Sequence, residues 1–482
     1  MLIRTLMLSV CTLLLLTGCA TRPFTAHTTP STQKPNIVII FTDDQGYADV
    51  GCFGAKLIKT PNLDRMAGEG MKFTDFYVAA PVCTPSRAGL MTGCYPQRLS
   101  MAEMPRDDGR MGKVLFPDSP GGINADEVTI PELLKTQGYA TGMVGKWHLG
   151  HHPEFLPTRH GFDSYYGIPY SNDMKPSPIL RNEIVVEEPA DQTTLTERYT
   201  AESIRFIREH QDEPFFLYLA HNMPHIPLFV SEKFDGKSAG GLYGDVIETI
   251  DAGVGEILDT LDELKLSENT LVVFTSDNGP WLVYGDHAGL ATPLRAGKGT
   301  TYEGGMREPC IMRWPGTIPA GSETSEVGTT LDLLPTLAAI SGAQVPTDRI
   351  IDGHNILPLM RGEAGAKSPT DAFYYYHGNE LQAVRSGEWK LRIESTMKFE
   401  DIYRRVPNPD AIIPEALYHL ATDPGEQKNL MPRSKKAYET MDPERRAVIE
   451  HLRGLLDQAR ADLGDTKQGI KGTNIRPLGS RD

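Results

Sequence analysis

The chain has 482 residues, of which 40% are hydrophobic and 23% charged, proportions typical of a folded protein of one or two domains rather than a disordered chain. Its formal net charge of −15 argues against a general nucleic-acid binder, which would be basic. Because the overall field repels anions, a site for an anionic substrate has to be locally positive.

The N-terminus predicts export. An apolar run over residues 6–16 is too short to span a bilayer but suits the central region of a signal peptide. The ending LTGC at Cys19 resembles a bacterial lipobox, whose cysteine carries lipid; the alternative is an uncleaved anchor or a chance cysteine. We predict a signal peptide over 1–18 and a tether rich in Thr, Pro and Ser over 19–34. Ala20 after Cys19 favours an outer-membrane lipoprotein of the cell envelope.

Four apolar runs farther along are each followed at once by polar side chains. The runs are NIVIIFTDDQG from Asn36, GYATGMVGKWHLG from Gly138, PFFLYLAHNMPH from Pro214 and NTLVVFTSDNG from Asn269. Their polar ends carry Asp43 and Asp44, Lys146 and His148, His221 and His225, and Asp277 and Asn278. Runs of this length, rich in Val, Ile and Phe, are typical of strands buried on both faces.

Helical patterns lie between these strands, the clearest over Tyr243–Leu264 with apolar residues at 3.6-residue spacing. The alternation predicts an α/β fold around a mostly parallel sheet flanked by helices. Ligands of such sheets bind beyond the carboxyl ends of the strands, so the polar clusters are expected to converge. After a connector at 361–370, short strand-like pieces and a charged helix near 442–463 predict a smaller C-terminal α+β subdomain with an antiparallel hairpin or sheet over 371–482.

Asp43-Asp44 and Asp277-Asn278 are two oxygen-rich pairs in matching positions. A hard divalent cation takes several oxygen ligands, and separate strands can supply them; the alternative for each pair is a turn or a helix cap. Positive charge and proton-transfer capacity come from Lys146, His148, His225 and Lys298, although glycines around Lys298 also allow a plain surface loop. We expect His221, His287 and the pair His151-His152 at the surface or one layer behind the site.

Six cysteines raise a separate question. Cys11 leaves with the signal and Cys19 carries lipid, which leaves Cys52, Cys94 and Cys310 able to form at most one bridge. The remaining one, Cys83, is half of a disulfide, a thiol nucleophile, a metal ligand or a precursor of another group. It lacks the spacing of a zinc site and the context of a papain-like nucleophile. From composition alone it is a buried inert thiol.

The stretch PVCTPSRAGLMTG, Pro81–Gly93, resembles the signature of the type I sulfatases, whose cysteine is oxidised after translation to Cα-formylglycine. The segments TDDQG, GKWHLG, MPHIP, SDNG and GKGTTYEGGMREP follow the family's order, so the resemblance covers Pro35 to about Gly362. The tail LYHLATDPGEQKNL resembles the family's C-terminal subdomain. GIPYSND and YYYHGNELQAVRSGEWK are most similar to the branch of arylsulfatase A and N-acetylgalactosamine-6-sulfatase.

This resemblance implies the fold of the alkaline phosphatase superfamily, with a catalytic domain over 35–362, and a formylglycine-generating maturation enzyme as a partner. It implies that one calcium ion is bound by Asp43, Asp44, Asp277, Asn278 and the modified Cys83. Arg87, Lys146, Lys298 and Ser171 would hold the formylglycine diol or the sulfate. One diol hydroxyl would attack sulfur while His225 or Lys298 protonates the departing sugar oxygen, and His148 would deprotonate the other to release sulfate.

Cys94 stands where the family pattern has an arginine, which bears on how efficiently Cys83 is converted. The expected substrate is a sulfated sugar in a polysaccharide or oligosaccharide. His377, Asn379 and Glu380 are candidate sugar contacts, with a structural hairpin as their alternative. The runner-up functions are a phosphodiesterase or phosphonate monoester hydrolase of the same superfamily, and a glycan-binding protein in which Cys83 stays a thiol.

Overall fold

The computed structural model describes residues 34–396 and 412–481. The predicted signal peptide, Cys19 and all of the tether except Lys34 lie outside the described residues, so those assignments stay predictions. Within the part of the chain that the structure describes, no helix has both the length and the apolar character needed to cross a bilayer.

A large sheet forms the centre of the fold, with eleven strands among the described residues. In chain order they are β1 (Asn36–Thr42), β2 (Met71–Tyr77), β3 (Ala140–Gly145), β4 (Ser164–Gly167), β5 (Ile179–Arg181), β6 (Ile184–Glu187), β7 (Phe215–Ala220), β8 (Thr270–Ser276), β9 (Arg307–Arg313), β10 (Ser322–Thr324) and β11 (Gly328–Thr329). They lie in the order β10-β2-β9-β8-β1-β7-β3-β4-β5-β6, and β11 also pairs with β2.

The middle of this sheet, β8-β1-β7-β3-β4, is parallel, and antiparallel pairs lie toward both edges. Alternate residues of β1 enter two cores: Ile39 lies in one and Val38 and Ile40 in the other. A strand buried on both faces has no polar side to show, which explains the unbroken apolar runs. The predicted α/β class with a mostly parallel sheet is confirmed.

Helices cover both faces of the sheet. Their bounds are α1 (Pro61–Glu69), α2 (Cys83–Thr92), α3 (Ile130–Lys135), α4 (Leu195–Glu209), α5 (Gly241–Glu263), α6 (Glu303–Met306), α7 (Leu333–Ser341), α8 (Leu357–Met360), α9 (Lys435–Glu439) and α10 (Pro443–Leu463). The helix predicted over Tyr243–Leu264 is α5, whose buried stripe includes Val246, Ile250 and Val254. The predicted charged helix near 442–463 is α10.

A second, antiparallel sheet follows, in the order β12 (Phe373–His377), β13 (Glu380–Ser386), β14 (Trp389–Arg392) and β15 (Ala416–His419). Its buried Leu391 and Leu417 share a core with α10 and with Tyr77 of the large sheet. The C-terminal subdomain is therefore packed on the catalytic part through a common core. The predicted boundaries at 362 and 371 stay predictions.

Candidate active site

The four predicted polar clusters lie at one edge of the large sheet. In the parallel register Thr42 pairs with Ser276, and Gly145 and Phe41 both pair with Ala220, so β1, β3, β7 and β8 end side by side. The residues that follow these ends are Asp43 and Asp44 after β1, Lys146 and His148 after β3, His225 after β7, and Asp277 and Asn278 after β8. Their meeting follows from strand order, because parallel strands share one carboxyl edge.

Cys83 joins them as the first residue of α2. Its Sγ lies 3.3 Å from Asp43 Oδ1 and 3.6 Å from Lys298 Nζ, and the cysteine is buried and free. Burial and the carboxylates of Asp277 and Asp43 raise the pKa of the thiol well above its ordinary value. Thiolates, not thiols, are nucleophiles. The structure therefore argues against a disulfide and against an unmodified thiolate at Cys83.

Three buried cations are each paired with a buried carboxylate here, a set we call the site cluster. The pairs are Arg87–Asp277, Lys146–Asp43 and Lys298–Asp44, with shortest N···O distances of 2.7, 2.5 and 2.7 Å. Three positive and three negative charges sum to zero. A bound divalent cation would therefore leave the cluster with a charge of +2, which attracts an anionic substrate against the negative field of the whole protein.

The oxygen atoms of the site cluster fit a metal ion. Burial and the neighbouring carboxylates of Asp43 and Asp277 raise the pKa of Asp44 to about 7, although Lys298 opposes the shift, so an added cation would be favoured here. Asn278 Nδ2 donates to Asp44 Oδ1 at 2.7 Å, while Asn278 Oδ1 is buried without a hydrogen-bond partner. A buried bare oxygen beside carboxylates suits a hard divalent cation.

Donor atoms of Asp43, Asp44, Cys83 and His225 also lie within 4.8 Å of one another. His225 is thus an additional candidate ligand beside the predicted set. Both oxygens of Asp277 already accept hydrogen bonds, Oδ1 from Asp44 N at 3.1 Å and Oδ2 from Arg87. Its predicted role as a ligand stays a prediction.

Both site histidines are held as neutral imidazoles. His148 Nε2 donates to Leu115 O at 2.8 Å, which leaves Nδ1 basic, and Nδ1 is buried without a partner. His225 Nδ1 donates to Ile226 O at 2.6 Å, which leaves Nε2 basic, 3.7 Å from Asp44 Oδ2. Burial lowers the pKa of both rings well below the ordinary value, reinforced by Lys146 at His148 and by Lys298 at His225. Each ring therefore offers one basic nitrogen.

The backbone at this edge is strained in two places. Asp44 and His148 adopt φ of 65° and 59°, the left-handed region that costs a residue with a Cβ about 1–2 kcal/mol. Backbone strain of this kind persists only where the surrounding structure enforces it, and it is common at functional sites. Here it turns both side chains directly after a strand end.

The site cluster opens to a cavity of about 670 Å³. Near the cluster it is lined by Cys83, His148, Ser171, His225 and Lys298; the rest of the wall includes Glu103, Arg106, Lys113, Asp173, Trp281, His377, Glu380 and Thr466. Of the three predicted sugar contacts, His377 and Glu380 line the cavity, whereas Asn379 donates to Glu103 Oε2 at 3.1 Å. A buried centre that becomes positive when it binds a divalent cation, at the end of a polar cavity, suits a substrate with an anionic head and a hydroxylated remainder.

Comparison with known proteins decides the family. Residues 35–343 match the family described as Sulfatase, and residues 297–455 match the C-terminal region of N-sulphoglucosamine sulphohydrolase. The chain belongs to the sulfatase family. It is a sulfuric ester hydrolase, and the predicted branch is confirmed.

This sulfatase is 41% identical over 437 residues to arylsulfatase A of Homo sapiens, covering 83% of this chain and 84% of that one. It is 38% identical over 458 residues to N-acetylgalactosamine-6-sulfatase of Canis lupus familiaris, covering 88% and 87%. The solved structure of Ps i-CgsB in complex with k-i-k-neocarrahexaose is similar with a TM-score of 0.71 and 32% identity, covering 88% of this chain and 92% of that chain.

Sequence reasoning missed Trp281 of this sulfatase. Its ring centroid lies 4.4 Å from Lys298 Nζ and 5.5 Å from the His225 ring, and its Nε1 is buried without a partner. Its position three residues after Asn278 was an available signal. Glu103 and Lys113 flank a short hairpin, Met104–Pro105 with Met111–Gly112, and nothing local marks them.

The other histidines do not join the site. His221 is buried against Tyr199, with ring centroids 6.4 Å apart, and His287 is exposed. His151 and His152 are half-buried and stack on each other, with ring centroids 4.1 Å apart. The three remaining described cysteines, Cys52, Cys94 and Cys310, are all free.

Proposed function

We propose that this sulfatase hydrolyses sulfate esters on a sulfated carbohydrate, using a Cα-formylglycine made from Cys83 and one calcium ion. The observation that carries the proposal is the position of Cys83, which begins a helix at the cavity and lies between Asp43 and Lys298. A helix N-terminus and neighbouring cations favour an anion at this place. A relative named N-acetylgalactosamine-6-sulfatase and a solved relative holding neocarrahexaose support a carbohydrate substrate.

Asp43, Asp44, Asp277 and Asn278 would hold the calcium ion together with the modified Cys83. When bound, the ion adds positive charge beside the anion, and the hydrated aldehyde supplies one hydroxyl to attack sulfur and a second whose deprotonation releases sulfate. Oxygen ligands are those that calcium prefers, and the bare Asn278 Oδ1 supports this choice.

Arg87, Lys146 and Lys298 would hold the formylglycine diol and the sulfate oxygens. Lys146 Nζ donates to Ser171 Oγ at 3.2 Å, which orients the hydroxyl beside the cavity. Arg87 is fixed by Asp277 and by a hydrogen bond from its Nη1 to Lys146 O at 3.0 Å. Since their partners hold these groups in place beforehand, little reorganisation is needed when charge develops on the sulfate oxygens.

Proton transfer would fall to the two neutral histidines and Lys298. The bare His148 Nδ1 is a base whose tautomer is set by the Leu115 carbonyl. His225 and Lys298 line the cavity where the ester oxygen departs. The sugar would extend toward His377 and Glu380, whose neutral imidazole and carboxyl suit hydroxyl groups; burial lowers the pKa of His377 to about 4.

Peptide mass spectrometry of the Cys83 segment, on protein produced with a maturation system, tests the cofactor. We expect a mass about 18 Da below that of the thiol peptide, the difference between CH2SH and CHO. The same preparation should release sulfate from sulfated sugars faster than phosphate from matched esters. An unmodified thiol would contradict the proposal and favour a glycan-binding protein, and a preference for phosphate or phosphonate esters would favour the superfamily alternative.

We further propose that the protein is an exported lipoprotein attached through Cys19. The pattern LTGC after an apolar run supports this assignment. Radiolabelled palmitate should enter the wild type and not Cys19→Ala, and the wild type should sediment with outer membranes. Unlabelled wild-type protein would contradict lipid attachment.

A further inference from the structure

Four buried charged residues lie between the C-terminal sheet and the large sheet, and we call them the buttress cluster. They are Glu303 of α6, Lys390 and Arg392 of β14, and Glu426. Lys390 Nζ lies 2.9 Å from Glu303 Oε1 and 3.0 Å from Glu426 Oε1. None of the four lines the cavity described above.

Lys390 and Arg392 of the buttress cluster hydrogen-bond to the loop that carries Lys298. Thr301 O accepts from Lys390 Nζ at 2.9 Å and from Arg392 Nη1 at 3.0 Å, and Thr301 Oγ1 accepts from the same Arg392 nitrogen at 2.8 Å. The next residue, Tyr302, has the guanidinium carbons of Arg392 and Arg295 each 4.1 Å from its ring centroid. Two consecutive residues of the loop are thus held from the C-terminal sheet.

The following residue is held as well. Glu303 N donates to Glu426 Oε2 at 2.7 Å, and the Glu303 carboxylate accepts from Tyr375 OH at 2.8 Å and from Tyr77 OH at 2.5 Å. Glu426 has φ of 51°, a left-handed conformation that costs a residue with a Cβ about 1–2 kcal/mol. The chain therefore carries strain at the point where it meets the loop.

At its other end the loop forms backbone hydrogen bonds close to Cys83. Lys298 N donates to Pro280 O at 3.0 Å, and Gly299 N donates to Pro81 O at 2.8 Å, two residues before Cys83. A Cβ at Gly305 would lie 2.2 Å from Thr300 O, so the loop is closely packed at this point. A displacement of Thr301 would therefore move Lys298 and change the distance between Lys298 Nζ and Cys83 Sγ.

Energetics favour a positioning role over a purely stabilising one. Buried ion pairs are expensive to desolvate, and well-packed apolar residues in their place are often neutral or stabilising. The shared core of apolar side chains already joins the C-terminal sheet to the large sheet. The charged side chains of the buttress cluster add directional hydrogen bonds, three of which are accepted by Thr301.

We propose that Lys390 and Arg392 are positioning residues that hold Lys298 at the departing ester oxygen. The C-terminal sheet thus contributes to the geometry of the active site. The inference rests on the proposed function, in which Lys298 takes part in proton transfer to that oxygen. Misplacement of a reacting group by about 1 Å can cost roughly 100-fold in rate. The loss should depend on the leaving group, because nitrophenolate departs as a stable anion whereas a sugar alkoxide needs a proton or a hydrogen bond.

The test compares Lys390→Met with the wild type in the full-length protein, with rates expressed per formylglycine-containing molecule. We expect kcat on a sulfated monosaccharide to fall about 10- to 100-fold, and kcat on 4-nitrophenyl sulfate to fall at least about 5-fold less. Thr301→Val, which keeps the side-chain shape and removes the hydroxyl between Arg392 and Gln382, should show the same selectivity with a smaller loss.

Arg98→Met is the matched control. Arg98 is fully buried and pairs with Asp352 and Asp462 at 2.6 Å, so it also links α10 to the rest of the chain without touching the Lys298 loop. It should lower the melting temperature and leave the ratio of the two rates unchanged. Equal losses on both substrates in Lys390→Met and Thr301→Val would overturn the proposal. A Lys298→Ala variant that keeps full activity on the sugar sulfate would instead refute the proposed function of Lys298.

Discussion

The site cluster and the buttress cluster are both buried and both balanced in charge, but they differ in their access to the cavity. Lys298 of the site cluster lines the cavity, and beside this cluster Asn278 Oδ1 and His148 Nδ1 have no hydrogen-bond partner. In the buttress cluster, Lys390 has carboxylates on two sides and a carbonyl on a third, and no member reaches the cavity.

Burial of charge alone therefore does not mark an active site. Buried ion pairs away from any cavity stabilise one arrangement, whereas bare lone pairs beside a cavity indicate ligands still to be bound. The two clusters should therefore respond to opposite kinds of change. Substitutions in the site cluster should lower the rate on every substrate, whereas substitutions in the buttress cluster should lower stability and change the dependence of the rate on the leaving group.

The largest effect should come from Cys83→Ala, which removes the precursor of the nucleophile. We expect sulfate release to fall by about 10⁴-fold or more, the scale seen when a nucleophile is removed. The melting temperature should change by only a few degrees, because one small side chain is shortened and no ion pair is broken. Sulfate release and thermal unfolding of the same samples check this, and retained turnover would contradict the role of Cys83.

Metal removal should have the next largest effect on activity. Chelation should abolish activity and lower the melting temperature, because burial and neighbouring carboxylates raise the pKa of Asp44 to about 7 against the opposing effect of Lys298, so an added cation would stabilise its ionised form. Calcium at about 100 times its Kd should restore roughly 2.7 kcal/mol of stability. The Glu303→Gln variant should show the same calcium-induced rise. Restoration by zinc and not by calcium would contradict the calcium assignment.

Substitution of His148 should slow one half of the reaction. Because His148 Nδ1 is the base for release of sulfate, His148→Ala should lower kcat by about 10²- to 10⁴-fold and accumulate enzyme carrying a sulfuryl group, visible by intact-protein mass. His221→Ala is the control, since His221 is equally buried beyond β7 but outside the cavity. A slow His148 variant without the accumulated species would argue for another base.

The smallest effect on activity, and the clearest on stability, should come from the pH dependence of Glu303. Burial raises its pKa, but Lys390 and Arg307 outweigh this and hold it at about 2, below the ordinary 4.5. Stability from this group is therefore present above pH 4.5 and is lost as pH falls toward 2. Glu303→Gln should lose about 3 kcal/mol at neutral pH and converge with the wild type in acid. Urea midpoints across this range would reveal a constant difference if the ion pair contributes nothing.

Much of the fold was predictable from particular residues. The apolar runs ending at Asp43, Lys146, His221 and Asp277 predicted β1, β3, β7 and β8, and the 3.6-residue pattern predicted α5. The buttress cluster was not predictable, since Lys390 and Thr301 lie 89 residues apart and neither has a local pattern that marks the other. The same holds for Asn379 and Glu103, 276 residues apart.

The sequence by itself determined the strands, the kinds of residue at their ends and the resemblance to sulfatases, because these depend on local periodicity and on short motifs. Only the tertiary structure decided which nitrogen of His148 is bare, why Cys83 resists ionisation, and which distant charges hold Lys298. Those properties depend on burial and on neighbours brought together by folding, since the energy of a charge or a lone pair is set by what surrounds it.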